Sequence, residues 1–181
     1  MLLSLIAALW LTATGPGGST AAEVTVPALK AAFLYNFVKL TEWPADVAPP
    51  GAALRLCIVG DEAVADALEE TVRRRSVDDR AVVVPRVATD SAARRCHLLY
   101  LGGLEARRSK QLVDAVKDAS VLTVSDGEAF AQQGGVASFF FEGSKLRFAV
   151  NVEAAQRAGL HLSSRLLSLA KLVKDDRNVQ D

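Results

Sequence analysis

At 181 residues the chain is long enough for one domain with its own core and too short for two ordinary ones. Half of the residues are apolar, and 21 Lys and Arg balance 21 Asp and Glu, so no net charge marks the chain for nucleic acid or for an anionic membrane. The one dense basic spot, Arg73-Arg74-Arg75, ends an amphipathic stretch where cations suit the negative end of a helix dipole.

The first 22 residues stand apart. "MLLSLIAALWLTA" is a continuous apolar run, shorter than a membrane-spanning helix requires, and it leads into "TGPGGSTAA", whose small residues suit a cleavage site. Residues 1–22 therefore read as a secretory signal peptide, and 23–181 as the mature domain, expected in the periplasm. Export changes the reading of Cys57 and Cys96. In a cytosolic protein two separated cysteines are most often buried small hydrophobes; in an oxidising compartment an even pair is a candidate disulfide. His97 adjoins Cys96, but neighbours on a strand point to opposite faces, so zinc is not expected.

In chain order, "VPALKAAFLYNFVKLTEWP" carries Leu29, Phe33, Phe37 and Leu40 at helical spacing, with Pro27 near the start and Pro44 barring continuation beyond Trp43. "LRLCIVG" is a strand ending in Gly60, and Asp61 is placed to cap the helix "EAVADALEETVRRR". "RAVVVPRV" is a strand whose Pro85 favours the sheet edge, "DSAARRC" a helical turn, and "HLLYLGG" a buried strand. "LEARRSKQLVDAVKDA" is a helix with Leu104, Leu112, Val113 and Val116 on one side, followed by the strand and turn "SVLTVSDG". "EAFAQQGG" reads as a short helix stopped by Gly-Gly, and "VASFFFEGSKLRFAVN" as a hairpin turning at Glu142-Gly143-Ser144-Lys145. The last segment reads as a short helix broken near Gly159 and a longer one starting around Ser163.

This alternation predicts a single α/β domain: a mostly parallel central sheet, helices on both faces, and a C-terminal β-hairpin and helix. With a 2-1-3-4 strand order, the strands of Cys57 and Cys96 are neighbours and the two sulfurs can meet.

Chemistry is sparse. There is no Gly-x-Ser-x-Gly elbow, phosphate loop or dinucleotide fingerprint. His97 on a buried strand and His161 at a helix start have no nucleophile tied to them, and Asp78-Asp79 beside Arg80 reads as a solvated turn. Gly60, Asp61, Gly102 and Gly103, with Ser125, Asp126 and Gly127, all follow strands, where ligands bind in open parallel sheets. The same residues are also the ordinary vocabulary of strand-to-helix turns. No catalytic residue, metal site or cofactor is expected.

Several stretches carry a resemblance: Lys30-Ala31-x-Phe33-Leu34-x-Asn36-Phe37 closing with Trp43-Pro44; "LRLCIVG"; "CHLLYLG"; Leu122-Thr123-Val124-Ser125-Asp126; Phe148-x-x-Asn151; and Ala158-Gly159-Leu160 followed by Ser163-Ser164-x-Leu166-Leu167. In this order and spacing, across nearly all of the mature chain, they resemble the YfiR family of periplasmic proteins. The resemblance implies a non-enzymatic regulator that binds the periplasmic part of an inner-membrane diguanylate cyclase of the YfiN type, lowering cyclic-di-GMP and biofilm formation. It further implies homodimer association and a bridge between Cys57 and Cys96. A second cysteine pair of some relatives has no counterpart here, which argues against control resting on two bridges. The alternative function is a small-ligand sensor for another membrane protein, using the strand-end crevice.

The opening aromatic helix has only Lys30, Lys39 and Glu42 as charges, unlike a membrane-surface helix. A fold-forming role explains Phe33 and Phe37, with partner docking as the alternative for this helix and the other motif residues, and Asn36 must find hydrogen-bond partners if it is buried. Trp43 is expected to cover the core's rim with its N–H on a polar group.

Overall fold

The computed structural model describes residues 24–127 and 129–176; the proposed signal peptide lies outside them. Helix α1 (Val26–Lys39) is followed by β1 (Thr41–Glu42), β2 (Leu54–Val59), α2 (Glu62–Val72), β3 (Ser76–Val77), β4 (Arg80–Val83), α3 (Asp90–Ala93) and β5 (Leu98–Leu101). Then come α4 (Ala106–Val116), β6 (Leu122–Ser125), β7 (Ala137–Glu142), β8 (Lys145–Asn151), α5 (Val152–Arg157), β9 (His161–Leu162), α6 (Ser164–Leu167) and β10 (Lys171–Val173). Eight strands form one sheet in the order β10-β8-β7-β6-β5-β2-β4-β3, while β1 and β9 pair separately. Strands β4, β2, β5, β6 and β7 run parallel, and β8 returns antiparallel to β7. The expected 2-1-3-4 order is present in β4-β2-β5-β6.

Alternation along the buried strands builds two cores. Leu54, Leu56, Ile58, Leu98, Tyr100, Leu122 and Val124 face a large core completed by α1, α2, α5 and α6. Cys57, Leu99 and Leu101 face a smaller one completed by Ala93 of α3 and by Leu112 and Val116 of α4. The bridge between Cys57 and Cys96 lies in the smaller core, with Cα atoms 5.9 Å apart. It ties β2 to the residue two before β5, as neighbouring strands require.

Helix α1 starts where its signals place it, with the Thr25 hydroxyl accepting from the Ala28 N–H at 3.4 Å. It ends at Lys39, before Trp43, because Thr41–Glu42 pairs antiparallel with His161–Leu162. The buried set also differs from the expected stripe. Ala31, Leu34, Tyr35, Phe37 and Val38 are buried, while Leu29, Phe33 and Leu40 are half-buried. The helix packs along α2, and its phenylalanines meet those of the β7–β8 hairpin, so more than one stripe is covered. Phe37 meets Phe148 and Phe139 at 4.9 and 5.8 Å between ring centres, and Tyr35 donates to the Ser76 carbonyl from the other side.

Four further expectations are corrected. Residues 129–134 form turns rather than a helix: Gln133 N–H reaches Ala129 and Phe130 carbonyls, but the series goes no further. The longer helix expected from Ser163 is the four-residue α6, and the chain then becomes β10, parallel to β8. Strand β4 is second from the edge, with β3 outside it, and Pro85 lies past its end, where its carbonyl accepts from Ile58. Helix α2 ends at Val72, so the three arginines follow it: Arg73 N–H donates to Glu69, Arg74 turns the chain at φ +61°, and Arg75 lies over the Tyr35 ring.

Candidate functional site

The carboxyl ends of β2, β5 and β6 bring Asp61, Gly102 and Asp126 together, and α1 lowers Lys30 onto them. Lys30 Nζ donates to Asp126 Oδ2 at 2.7 Å and lies 4.0 Å from Asp61 Oδ2. The Tyr100 hydroxyl, at the end of its buried side chain, is 2.8 Å from both Asp126 oxygens. Burial first, and the Asp126 and Asp61 carboxylates next, push the Tyr100 phenol far above its ordinary value, so it stays protonated as a donor. Asp61 also caps α2, accepting from Val64 N–H at 3.1 Å. The Ser125 hydroxyl donates to the Leu101 carbonyl at 2.8 Å and thereby ties β6 to β5.

Two glycines let these ends close up. A Cβ on Gly60, whose φ is +83°, would stand 2.3 Å from the Gly102 carbonyl oxygen, and one on Gly102 would stand 2.6 Å from Asp61 Cβ. Gly103, at φ +63°, is exposed and has room for a Cβ. The charged groups of this cluster spend their bonding capacity on one another. Their arrangement fastens α1 to three strand ends.

Beside the cluster, on the α4 side of the sheet, lies an open groove of about 1270 Å³. Its origin is the crossover from β6 to β7. These strands are parallel, yet the connecting residues 129–134 are turns, so no crossover helix covers the sheet there. Val113 and Val116 of α4, with Phe130 and Val136, line the groove, and Gly103 and Asp126 of the strand-end crevice border it.

The remaining motif residues are dispersed. Phe33 and Phe37 belong to the aromatic core. Asn36 is exposed, so the condition for an internal partner does not arise. Trp43 Nε1 donates to the His97 carbonyl at 3.2 Å, with its ring edge-on to the imidazole, and the Pro44 carbonyl accepts from Val47 and Ala48. Asn151, fully buried, caps α5 through its Oδ1 on Ala154 N–H. Its amide donates to the Ala131 carbonyl at 2.8 Å and to Asp175 at 2.6 Å. Ser163 caps α6, whereas Ser164 is exposed.

His97 is buried between two backbone groups. Nδ1 accepts from Arg55 N–H at 3.0 Å, which leaves Nε2 to donate to the Val47 carbonyl at 3.2 Å. Burial, with smaller contributions from Arg80 and Arg55, holds its pKa below the ordinary 6.5. The neutral ring is a structural link, as its place on a buried strand suggests. His161 is exposed on β9 opposite Glu42. Sequence reasoning missed Tyr100, Asp175 and Arg157. Tyr100 had a signal, as the one hydroxyl in the aliphatic run "LLYL"; the pair Arg157–Asp175 (2.8 Å) had none.

The profile of the YfiR/HmsC-like family matches residues 27–171, from the start of α1 to the first residue of β10. The chain belongs to the YfiR/HmsC-like family. Among solved structures, a conserved domain protein from Vibrio cholerae O1 biovar El Tor strain N16961 aligns with a TM-score of 0.53 at 13% identity. The alignment covers 82% of this chain and 60% of that one, so this chain spans less than two thirds of the other's length, and the likeness speaks for the fold. Membership in the YfiR/HmsC-like family supports a regulatory role in the periplasm in general terms. The disulfide fits an oxidising compartment, and no helix among the described residues is long and apolar enough to cross a membrane.

Proposed function

We propose that this protein is a non-catalytic periplasmic regulator that binds the periplasmic part of an inner-membrane diguanylate cyclase and favours its inactive form. The observation carrying this reading is the family match over residues 27–171. The strand-end cluster supports it, because Lys30, Tyr100 and Asp126 are consumed in holding α1 to the sheet. Regulation by docking needs a rigid body with a fixed surface, and the bridge and the cluster supply rigidity. Binding shifts the cyclase toward the bound, inactive form by the difference in affinity between its two forms. Deleting the gene raises cellular cyclic-di-GMP and biofilm mass, and restoring the full chain returns both; unchanged cyclic-di-GMP in the deletion strain refutes the reading.

The groove beside α4 favours a second reading, a small-ligand sensor for another membrane protein. Its walls join apolar side chains such as Val113 and Val116 to polar ones such as Thr123 and Gln133, and with its strand-end mouth it has the character of a ligand site. A thermal-shift screen with nucleotides and aromatic metabolites decides this, since a ligand that binds only the folded state raises Tm.

A further inference from the structure

The two edges of the eight-stranded sheet are finished differently. At the β3 edge Val77 is buried and the chain turns back at Asp78 and Asp79, both with positive φ. At the other edge β10 pairs only with β8, and among the described residues nothing pairs with its outer side. Leu169, in the turn that leads into β10, and Leu172, the middle residue of the strand, are 63% and 58% exposed. Charge is also lopsided there. Between Glu153 and the Asp175-Asp176 pair the chain carries Arg157, Arg165, Lys171 and Lys174 and no carboxylate, although the whole chain is neutral. Arg157 is paired with the buried Asp175; Lys171, its Nζ 5.8 Å from the Phe140 ring centre, and Lys174 are exposed on and just past β10.

We propose that β10 is a docking edge onto which a carboxylate-bearing extended segment of a partner protein adds as a further strand. The open backbone of β10 supplies main-chain hydrogen bonds, Leu169 and Leu172 supply apolar contact, and the lysines select acidic side chains. Lysine on an edge strand ordinarily keeps like sheets apart, and that selects the occupant here. A second copy would bring Lys171 and Lys174 against their own kind, whereas an acidic segment neutralises them. This inference rests on the regulatory reading and names the surface that such a regulator uses.

The test places a photo-crosslinking amino acid at Leu172, at Lys174, and at the exposed control positions Asp66 on α2 and Lys110 on α4. The full chain is expressed in its own host, and cross-linked peptides are sequenced by mass spectrometry. Positions 172 and 174 should capture a peptide of another protein rich in Asp or Glu. With the probe at Leu172, Lys171→Glu combined with Lys174→Glu, or Lys174→Glu alone, should abolish that capture while Tm stays unchanged. Capture of a second copy, of the protein's own termini or of a peptide without carboxylates overturns the proposal. So does an absence of capture at 172 and 174, and so does capture that survives charge reversal. A non-cyclase membrane protein caught at 172 through an acidic segment leaves the docking edge standing and removes the cyclase reading. A cyclase caught only from Asp66 or Lys110 does the reverse.

Discussion

Asn151 shows how much one side chain carries in this molecule. It starts α5, holds the turn at Ala131 and meets Asp175, which in turn pairs with Arg157. Asn151→Ala removes a cap and leaves a buried carbonyl and carboxylate short of donors, a loss of about 3 kcal/mol that a lowered denaturant midpoint will register. His97 gives a pH dependence whose sign follows from its burial. Its folded pKa lies below the ordinary 6.5, so below that pH the unfolded chain takes up a proton that the folded one refuses. Stability from this group is therefore complete above pH 6.5 and declines as pH falls beneath it. Melting profiles at descending pH should show the decline, and His97→Gln should flatten it. The phenylalanines of the opening helix were legible as core at once. Lys30 and Asp126 were legible only as separate motif residues, because their meeting joins positions 96 residues apart.

Among the elements, β2 and β5 were the most readable. Mostly apolar runs ending at glycine mark strands covered on both faces, and their adjacency brought Cys57 toward Cys96. Removing the bridge by replacing both cysteines with alanine opens a loop of sequence separation 39 and should cost about 4 kcal/mol by the chain-entropy estimate. Reductant should lower the melting temperature of the parent chain and leave that of the double variant unmoved. The elements read wrongly were the short ones. "EAFAQQGG" and the stretch after Ser163 have helical composition, but a single turn gains too little to persist against competing partners. In the first, Phe130 turns into the smaller core and the chain passes directly to β7. In the second, the backbone of Lys171–Val173 finds β8 instead.

For the whole molecule, the sheet separates a thick core under α1 and α2 from a thin one under α3 and α4, and the groove lies where the thin layer ends. On the proposed regulatory reading a body of this kind acts by occupancy, and occupancy is stoichiometric. Graded expression should lower cyclic-di-GMP in proportion to copy number until the partner is saturated, after which further protein has no effect. Continued decline far below one copy per partner, followed by quantitative immunoblotting against cyclic-di-GMP, would instead mark a catalyst.

The residues by themselves determined the α/β class, the parallel order of the central strands, the candidate bridge and the family likeness. The class follows from local periodicity and capping chemistry, and the strand order from the short reach of crossovers; the likeness rests on the order and spacing of the motifs, and the candidate bridge on export and that likeness. The tertiary structure decided which face of α1 is buried, how Lys30, Tyr100 and Asp126 share one charge cluster, and that β10 stands at a sheet edge with no strand among the described residues on its outer side. Those features arise from packing between segments far apart in the chain, where contact energy rather than local preference selects the conformation.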